Sequence, residues 1–376
     1  MRGKPIEYEL IIKKDLTNVH IFDYFIDEFR HITKEIHDKN PEDRLYINVS
    51  SGTPAMKSSL QILAAFREFD MIPIQVSTPE KRSNPHAEEK VDYRPKEMWE
   101  CNEDNIEPEN RCQVSKNINF LLNLKKQMLI ELIDKYDYVG AKTLADTMKN
   151  SLCEEFLELL EGSCKRLKME VSNANLIYKK YGHKILSVEQ SNYANIAEYF
   201  LYLKLKVQKE EYGDFLRGIS PLLVTIFEEI LERHCGISVR EYTFYDKNEI
   251  RKWDMKKLKN NCNIMSAFDS KYENGFKGGY VKSDHFIALI NYLTNNEKVV
   301  MICNQLRSIE ENLRNKAAHV IISITDEWIY KKIGFNSETI ISKINEALTY
   351  TNVKTGIGFF ESYDKMNEML INALKK

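Results

Sequence analysis

The sequence predicts an α+β protein of more than one domain: an α/β unit built on a parallel sheet, then a helical linker, then an all-α domain. Three observations carry this expectation. Strand-like and helix-like patterns alternate through the first hundred residues. A polar stretch over 80–115, holding Pro85, Pro95 and Pro108, interrupts them. Helical periodicity then holds from about residue 116 onward. A chain of 376 residues is expected to form two or three domains and can bury real cores without disulfide or metal staples.

The elements follow in order. "PIEYELII" (5–12), rich in Ile and Tyr, reads as a strand. "HIFDYFIDEFRHITKEIHD" (20–38) places Ile21, Tyr24, Phe25, Phe29 and Ile32 at helical spacing. "RLYINVS" (44–50) is a short β-rich run. "PAMKSSLQILAAFREF" (54–69) is an amphipathic helix with Pro54 in its first turn, where a missing N–H removes no bond. "MIPIQVSTP" (71–79) is a further strand. This β-α-β-α-β order implies a parallel, Rossmann-like sheet. After the polar boundary come three helical segments: "NINFLLNLKKQMLIELIDKYD", "GAKTLADTMKN" and "LCEEFLELLEGSCKRLKMEVSNANLIYKKY". A last helical domain opens at "NYANIAEYFLYLKLKVQ" and runs to the end, interrupted by a loop-rich insert at 236–280. The expected domains are 1–112, 113–188 and 189–376. No internal repeat or low-complexity tract is present.

Hydrophobic residues make up 43% and charged residues 29%, the balance of a soluble globular protein. The formal net charge of −2 supplies no global basic field to draw the chain to nucleic acid or membrane. Any RNA contact has to come from a local patch, and stable DNA binding is not expected. The seven cysteines include no CxxC pair, which suggests reduced thiols in a cytoplasmic protein. The first residues hold no apolar signal core, and no 18-residue apolar run occurs, so no membrane association is expected.

Two stretches have the residues for chemistry. The first is "NVSSGTPAMKSS" (48–59), where a strand ends, a small-residue turn follows and a helix begins. Helix N-termini present unpaired N–H groups and bind anions. Ser50, Ser51 and Thr53 add hydroxyls, and Gly52 lets a ligand approach the backbone closely. Ligands of open α/β sheets bind at the carboxyl ends of strands, which is where this turn lies. The plainer alternative is a capped turn with Thr53 as N-cap. No GK[ST] follows, so this is not a Walker loop. "STPEKRSN" (77–84) adds Thr78 and the cation Arg82 on the same expected sheet edge.

The second stretch is "ENLRNKAAHVIIS" (311–323). Upstream, Val299, Ile302, Cys303, Leu306, Ile309 and Leu313 make a helical core stripe that Ala317 and Val320 could continue. Arg314, Asn315 and His319 are out of keeping with it. Asn315 and His319 are one turn apart and share a face, whereas Arg314 lies about 140° around an ideal helix from His319. Either the arginine reaches round, or the helix begins near the motif, or two copies face each other across a dimer axis. Ala317 and Ala318 favour the last by allowing close approach. These residue types suit RNA cleavage without metal. Histidine moves protons near neutral pH, arginine stabilises charge on a pentacoordinate phosphate, and asparagine orients either. The alternative is that they only satisfy buried partners, and Arg30 and His37 show a similar spacing on a helix read as structural.

Other features carry less. Glu154 and Glu158 share a helix face of the solvated kind. No His/Asp/Glu group has metal-ligand spacing, so no metal is expected. His234 and Cys235 close a helix before Gly236, where histidine suits the helix C-terminus. "RKWDMKKLKNN" (251–261) interleaves Trp253 with Arg251, Lys252, Lys256, Lys257 and Lys259, and reads as an RNA-contacting loop or a solvated basic helix.

Both main stretches match one family. "NVSSGTPAMKSSLQILAA" followed by "IPIQVSTPEKRSN" resembles the second half of a CARF domain, the Rossmann-like sensor of CRISPR-associated proteins. "RNKAAH" resembles the R-x4-6-H signature of HEPN ribonucleases, including the asparagine after the arginine. The order CARF, helical linker, HEPN is similar to that of the Csm-type accessory ribonucleases of type III CRISPR–Cas systems, and the resemblance spans essentially the whole chain.

The resemblance implies a homodimer in which a cyclic oligoadenylate activator, six adenylates favoured over four, binds across paired CARF domains. The paired HEPN domains then cut single-stranded RNA without metal, in antiviral defence, and no cofactor beyond the activator is implied. By position, Arg314, Asn315 and His319 become the catalytic set. Ser50, Ser51, Gly52 and Thr53 line the activator turn with Thr78 and Arg82, and Thr53 inherits a role in slow cleavage of the activator. The rival expectation is a non-catalytic nucleotide-sensing dimer whose HEPN unit is a scaffold; a weaker one is a toxin-like nuclease with no ligand. CARF domains open with a strand and a glycine-containing turn, and here "MRGKPIEYEL" begins after that unit, so a partial CARF domain is expected.

Overall fold

The computed structural model describes residues 8–66, 71–77, 94–100, 110–115, 118–186, 188, 191–319 and 323–376. The chain forms two compact units, Met1–Met128 and Leu129–Lys376. No described helix is long and apolar enough to cross a membrane.

The first unit holds α1 (Phe22–Lys39), β1 (Leu45–Asn48), α2 (Pro54–Phe66), β2 (Met71–Val76), α3 (Pro95–Glu100) and β3 (Cys112–Val114). Strands β1 and β2 are parallel, with Leu45 opposite Met71, and α2 makes the crossover that parallel pairing demands. Helices α1 and α2 pack on each other. Ile47, Val49, Leu63, Ala64 and Met71 form the core, with Phe29, Leu45 and Leu60 against it. Thr33 stays buried on α1 because its hydroxyl donates to the Phe29 carbonyl at 2.6 Å.

Two expectations fail in this unit. Tyr8–Ile12, read as part of a strand, lie outside any sheet, and Tyr8, Leu10 and Ile12 are exposed. High β-propensity makes no strand without a neighbouring edge to pair with. The third strand instead comes from the polar boundary and runs antiparallel to β2, with Ile74 opposite Val114. It is three exposed residues long, too short and too polar for a pattern to reveal.

The second unit is helical. It comprises the end of α4 (Ile118–Asp134), α5 (Tyr138–Asp146), α6 (Glu154–Leu167), α7 (Val171–Lys180), α8 (Ser191–Gln208), α9 (Tyr212–Cys235), the hairpin of β4 (Thr243–Tyr245) and β5 (Arg251–Trp253), α10 (Met255–Lys259), α11 (Cys262–Lys271), α12 (Ser283–Leu293), α13 (Glu297–His319), α14 (Asp326–Ile333), α15 (Ser337–Thr349) and α16 (Ser362–Lys375). Helix α9 is the centre and packs against α8, α12, α13 and α15. Its buried Phe215, Leu216, Ile219, Leu222, Leu223, Ile226, Phe227 and Ile230 recur at three- and four-residue spacing. Each such side chain contributes roughly 1.5–3 kcal/mol. Gly236 ends the helix at φ +66°, a left-handed conformation that glycine adopts without strain.

Polar ties close α16 onto the earlier helices. Tyr138 donates to Asn367 Oδ1 at 2.7 Å, and Asn367 Nδ2 donates to the Ile133 carbonyl at 2.8 Å. Arg166, fully buried, grips Glu198 with two bonds of 2.8 and 2.9 Å and also donates to Ser362 Oγ at 2.7 Å. Burial opposes the guanidinium charge, but the Glu198 carboxylate more than offsets this and holds the group charged.

The insert at 236–280 is more ordered than its composition suggests. Trp253 is not a nucleic-acid platform: it is 3% exposed and its indole N–H donates to His285 Nδ1 at 2.9 Å. Arg251 and Lys252 pair with Glu228 and Asp246. Alternating strand geometry points Trp253 into the core while its neighbours face outward.

Candidate functional site

The turn between β1 and α2 is a capped helix start. The Thr53 hydroxyl accepts the Met56 N–H at 3.3 Å and donates to the Val19 carbonyl at 2.8 Å. Lys57 N–H donates to the Thr53 carbonyl at 3.0 Å, the first bond of α2. Ser50 N–H donates to Asn48 Oδ1 at 2.9 Å, and the Ser50 hydroxyl accepts the Val76 N–H at 2.6 Å. That last bond fastens the turn to the carboxyl end of β2. Gly52 sits at φ +105°, where a Cβ would come within 3.2 Å of Met56 Sδ. Glycine is therefore favoured here by conformation, and a larger residue would also have to push the Met56 side chain aside.

So Ser50, Ser51, Gly52 and Thr53 gather at the carboxyl edge of the parallel pair, as expected. The hydroxyls of Ser50 and Thr53 are turned to internal bonds, while Ser51 and Gly52 are exposed. The exposed backbone of Ser51 and Gly52 lies at the N-terminus of α2, a geometry suited to anions. Thr78 and Arg82 lie outside the described residues.

The second stretch lies at the end of α13. Val299, Ile302, Cys303, Leu306, Ile309 and Leu313 are all buried, the stripe expected of this helix. Burial pushes the Cys303 thiol up to about 12, so it is an inert core group. The helix runs unbroken from Glu297 through His319, which removes the possibility that it begins near the motif. Arg314, Asn315 and His319 occupy its last turns, where the helix dipole favours cations. The side chains from Arg314 through His319, and Val320, lie outside the described residues. On the backbone, Arg314 and His319 are about 140° apart around the axis.

Just upstream is a group that the sequence pattern alone does not single out. Glu310 is 3% exposed yet carries a carboxylate. It accepts from Ser283 Oγ at 2.6 Å and from Arg307 at 3.2 Å. A signal is nevertheless present: one turn from Leu306 and three residues before Leu313, Glu310 falls inside the apolar stripe. Two cavities flank this group. One of about 500 Å³ lies between α11, α12 and α13. The other, about 550 Å³, is lined by residues of α9, α12 and α13 and includes Arg217, Lys282 and Arg307.

Family models of the Cas_Csm6 CARF domain, the CRISPR-associated protein Csm6 6H domain and the Cas_Csm6 HEPN domain match residues 8–112, 115–167 and 185–371. The CRISPR system endoribonuclease Csm6 of Mycobacterium tuberculosis is 27% identical over 361 residues, 95% of this chain and 81% of that one. Csm6′ of Streptococcus thermophilus is 27% identical over 378 residues, 98% of this chain and 84% of its own. The fold is similar to that of Enterococcus italicus Csm6 bound to cyclic hexa-2′-fluoro-hexa-dAMP, with a TM-score of 0.72 at 19% identity, covering 96% of this chain and 82% of that one. The chain belongs to the Csm6 family of CRISPR-associated endoribonucleases, with a CARF unit, a helical linker and a HEPN unit in that order.

Proposed function

We propose that this endoribonuclease cuts single-stranded RNA at a composite site formed by the HEPN units of two copies, without metal, when a cyclic oligoadenylate binds its CARF unit. Arg314, Asn315 and His319 form the catalytic set. The observation that carries this reading is the unbroken α13, which brings all three to one helix end but separates arginine from histidine around its axis. A second copy supplies the complementary group.

The chemistry needs only these side chains and the substrate. His319 takes the proton of the ribose 2′-OH or delivers one to the departing 5′-oxygen. The 2′-oxygen bonds to phosphorus, the P–O5′ bond breaks, and a 2′,3′-cyclic phosphate and a 5′-hydroxyl remain. Arg314 stabilises the charge gathering on the non-bridging oxygens, and Asn315 orients the reacting groups.

Activation belongs to the turn of Ser50, Ser51, Gly52 and Thr53, with Thr78 and Arg82. The bound ligand in the Enterococcus italicus structure, a ring of six nucleotides, supports a cyclic hexaadenylate over a four-membered ring. The proposed domains are 1–112, 113–188 and 189–376, and the role is antiviral defence in the cytoplasm.

The test is an assay with fluorogenic single-stranded RNA in excess EDTA, with and without cyclic hexaadenylate and cyclic tetraadenylate. Cleavage stimulated by the larger ring and products ending in 2′,3′-cyclic phosphate are expected. His319→Ala is expected to abolish cleavage while melting as the parent does. Full activity in that variant, or products bearing only 5′-phosphate, would overturn the reading.

A further inference from the structure

The cavity of about 550 Å³ lined by α9, the start of α12 and α13 gathers hydrogen-bond donors that the chain leaves unused. Its size is inside the roughly 300–1,000 Å³ range of ligand pockets. Ser220, on α9, is 7% exposed, and its hydroxyl has no hydrogen-bond partner among the described residues. A helical serine commonly bonds the carbonyl four residues back, and Ser220 does not. Arg307, on α13, keeps a buried Nε–H without an acceptor, although its Nη1 donates to Glu310 at 3.2 Å. Buried polar groups are normally paired, so two orphans at one cavity ask for a partner from outside the chain.

The N-terminus of α12 opens on the same cavity through Lys282 and Ser283. Lys282 holds the N-cap position, and a lysine side chain has no acceptor with which to cap a helix. The third N–H, of His285, is turned back to the Lys282 carbonyl at 3.0 Å. The first two, of Ser283 and Asp284, meet no protein acceptor among the described residues, and such N–H groups attract anions. The Lys282 side chain is exposed and pairs with no carboxylate among the described residues. Arg217 adds a second cation, held by Asp214. Two carboxylates also line the cavity. Glu310 is committed to Ser283 and Arg307, and the Glu311 side chain is 63% exposed to water. What is left over is a set of donors with a cation, the chemistry that receives a phosphate.

The cavity is also in register with the motif. Positions 307 and 314 lie on one unbroken helix, two turns apart less about 20°. They therefore share a face, about 10 Å from each other along the axis. A strand that passes position 314 brings a neighbouring phosphate to the cavity.

We propose that this cavity is a phosphate subsite of the ribonuclease, holding a backbone phosphate of the RNA strand to one side of the scissile one. Lys282 supplies the charge. The Ser220 hydroxyl, Arg307 Nε and the first N–H groups of α12 are the donors to its oxygens. The subsite positions the strand and takes no part in bond breaking. It rests on the reading of Arg314, Asn315 and His319 as the cleaving residues.

The experiment neutralises phosphates one at a time. The substrates are 2′-fluoro RNA strands with a single 2′-hydroxyl, and hence a single cleavable bond, each carrying one methylphosphonate linkage at a stepped position. They are cut by the full chain with cyclic hexaadenylate present. In the wild type, a neutral linkage at one fixed offset from the cut is expected to raise KM roughly ten-fold, the loss of one charge-assisted hydrogen bond. Lys282→Gln is expected to raise KM on the unmodified strand to a similar extent and to abolish the effect of the neutral linkage. It is also expected to flatten the log–log dependence of affinity on salt by about 0.7, the contribution of one phosphate contact on a single strand. Ser220→Ala is expected to raise KM several-fold, to keep the wild-type salt slope, and to melt no lower than the wild type, because it removes a hydroxyl that the fold leaves unpaired. In both variants kcat is expected to stay unchanged. Unchanged KM in both would overturn the proposal, as would a fall in kcat at constant KM. Inorganic phosphate that raises the melting temperature while no neutral linkage alters KM would assign the cavity to a free anion and overturn it too. Affinity for a wholly 2′-fluoro strand, which offers no 2′-hydroxyl to attack, is measured alongside by anisotropy. If His319→Ala still cuts, the catalytic reading fails, and these affinities decide the subsite on their own.

Discussion

His285 occupies a place where a histidine's charge is hard to carry. It is 8% exposed and surrounded by the rings of Trp253, Phe268, Tyr272 and Phe276. Trp253 and the Lys282 backbone both donate to Nδ1, so that nitrogen is an acceptor and the ring is neutral. Burial lowers its pKa to about 4, with Lys282 and Lys271 adding to the shift and Asp284 opposing it. The unfolded ring binds its proton near 6.5 and the folded ring only near 4, so between these values the unfolded state holds more protons. The stabilisation is therefore complete above pH 6.5 and is lost as pH falls toward 4, by about 2–3 kcal/mol. Urea unfolding across the range from about pH 7.5 to about pH 4.5 is expected to show this decline in the wild type. In His285→Gln the slope over that window is expected to shrink, and an unchanged slope would assign it to other groups. Glu310 tells the complementary story of a buried charge with partners. Glu310→Ala strands the Ser283 hydroxyl and the Arg307 guanidinium, and is expected to lower unfolding free energy by about 2–4 kcal/mol. Because Glu310 lies one turn before Arg314, slower RNA cleavage is expected alongside the lost stability.

The turn into α2 and the length of α13 are where single elements decide function. Thr53 caps α2 and ties it to the segment before α1 through the Val19 carbonyl. Thr53→Ala is expected to lower the stability of the first unit by about 1 kcal/mol, and Thr53→Ser to recover most of it. Melting of the two variants decides this; equal loss in both would mean the methyl group, not the hydroxyl, matters. A role for Thr53 in activator cleavage would require its hydroxyl to leave the Val19 carbonyl before it could meet a phosphate. Elements with a strong period are legible in the sequence. The stripe from Val299 to Leu313 places α13, and the glycine-containing turn before Pro54 places α2. Elements without a period are not. Tyr8–Ile12 have strand-forming residues but pair with no strand of the sheet, and β3 is too short and polar to announce itself. Trp253 misleads because its basic neighbours suggest a surface, while strand alternation buries it. Glu310 is half legible: its place in the apolar stripe marks it for burial, but its partner Ser283 is distant along the chain.

At the scale of the whole molecule, the change of period along the chain makes the order of units readable, and the family models divide it in the same order. Whether the cleaving groups come from one copy or two is a question that the geometry of α13 turns into an experiment. If Arg314 and His319 of the same copy work together, the arginine has to reach about a third of a turn or more around a helix that is unbroken to its end. If they work across copies, each helix only presents one group to the other. Arg314→Ala and His319→Ala should each form inactive dimers. A heterodimer of the two, isolated with a different tag on each copy, retains Arg314 on one chain and His319 on the other. Cleavage across copies predicts that this heterodimer regains a measurable part of wild-type activity, because one intact pair faces itself over the dimer axis. Cleavage within a copy predicts that it stays as inactive as its parents, since neither chain holds both groups. The comparison is made at equal dimer concentration with saturating cyclic hexaadenylate, so that activation and assembly are the same in all three. The parental variants also control for stability: both residues belong to the last turns of α13, and all three dimers should melt together.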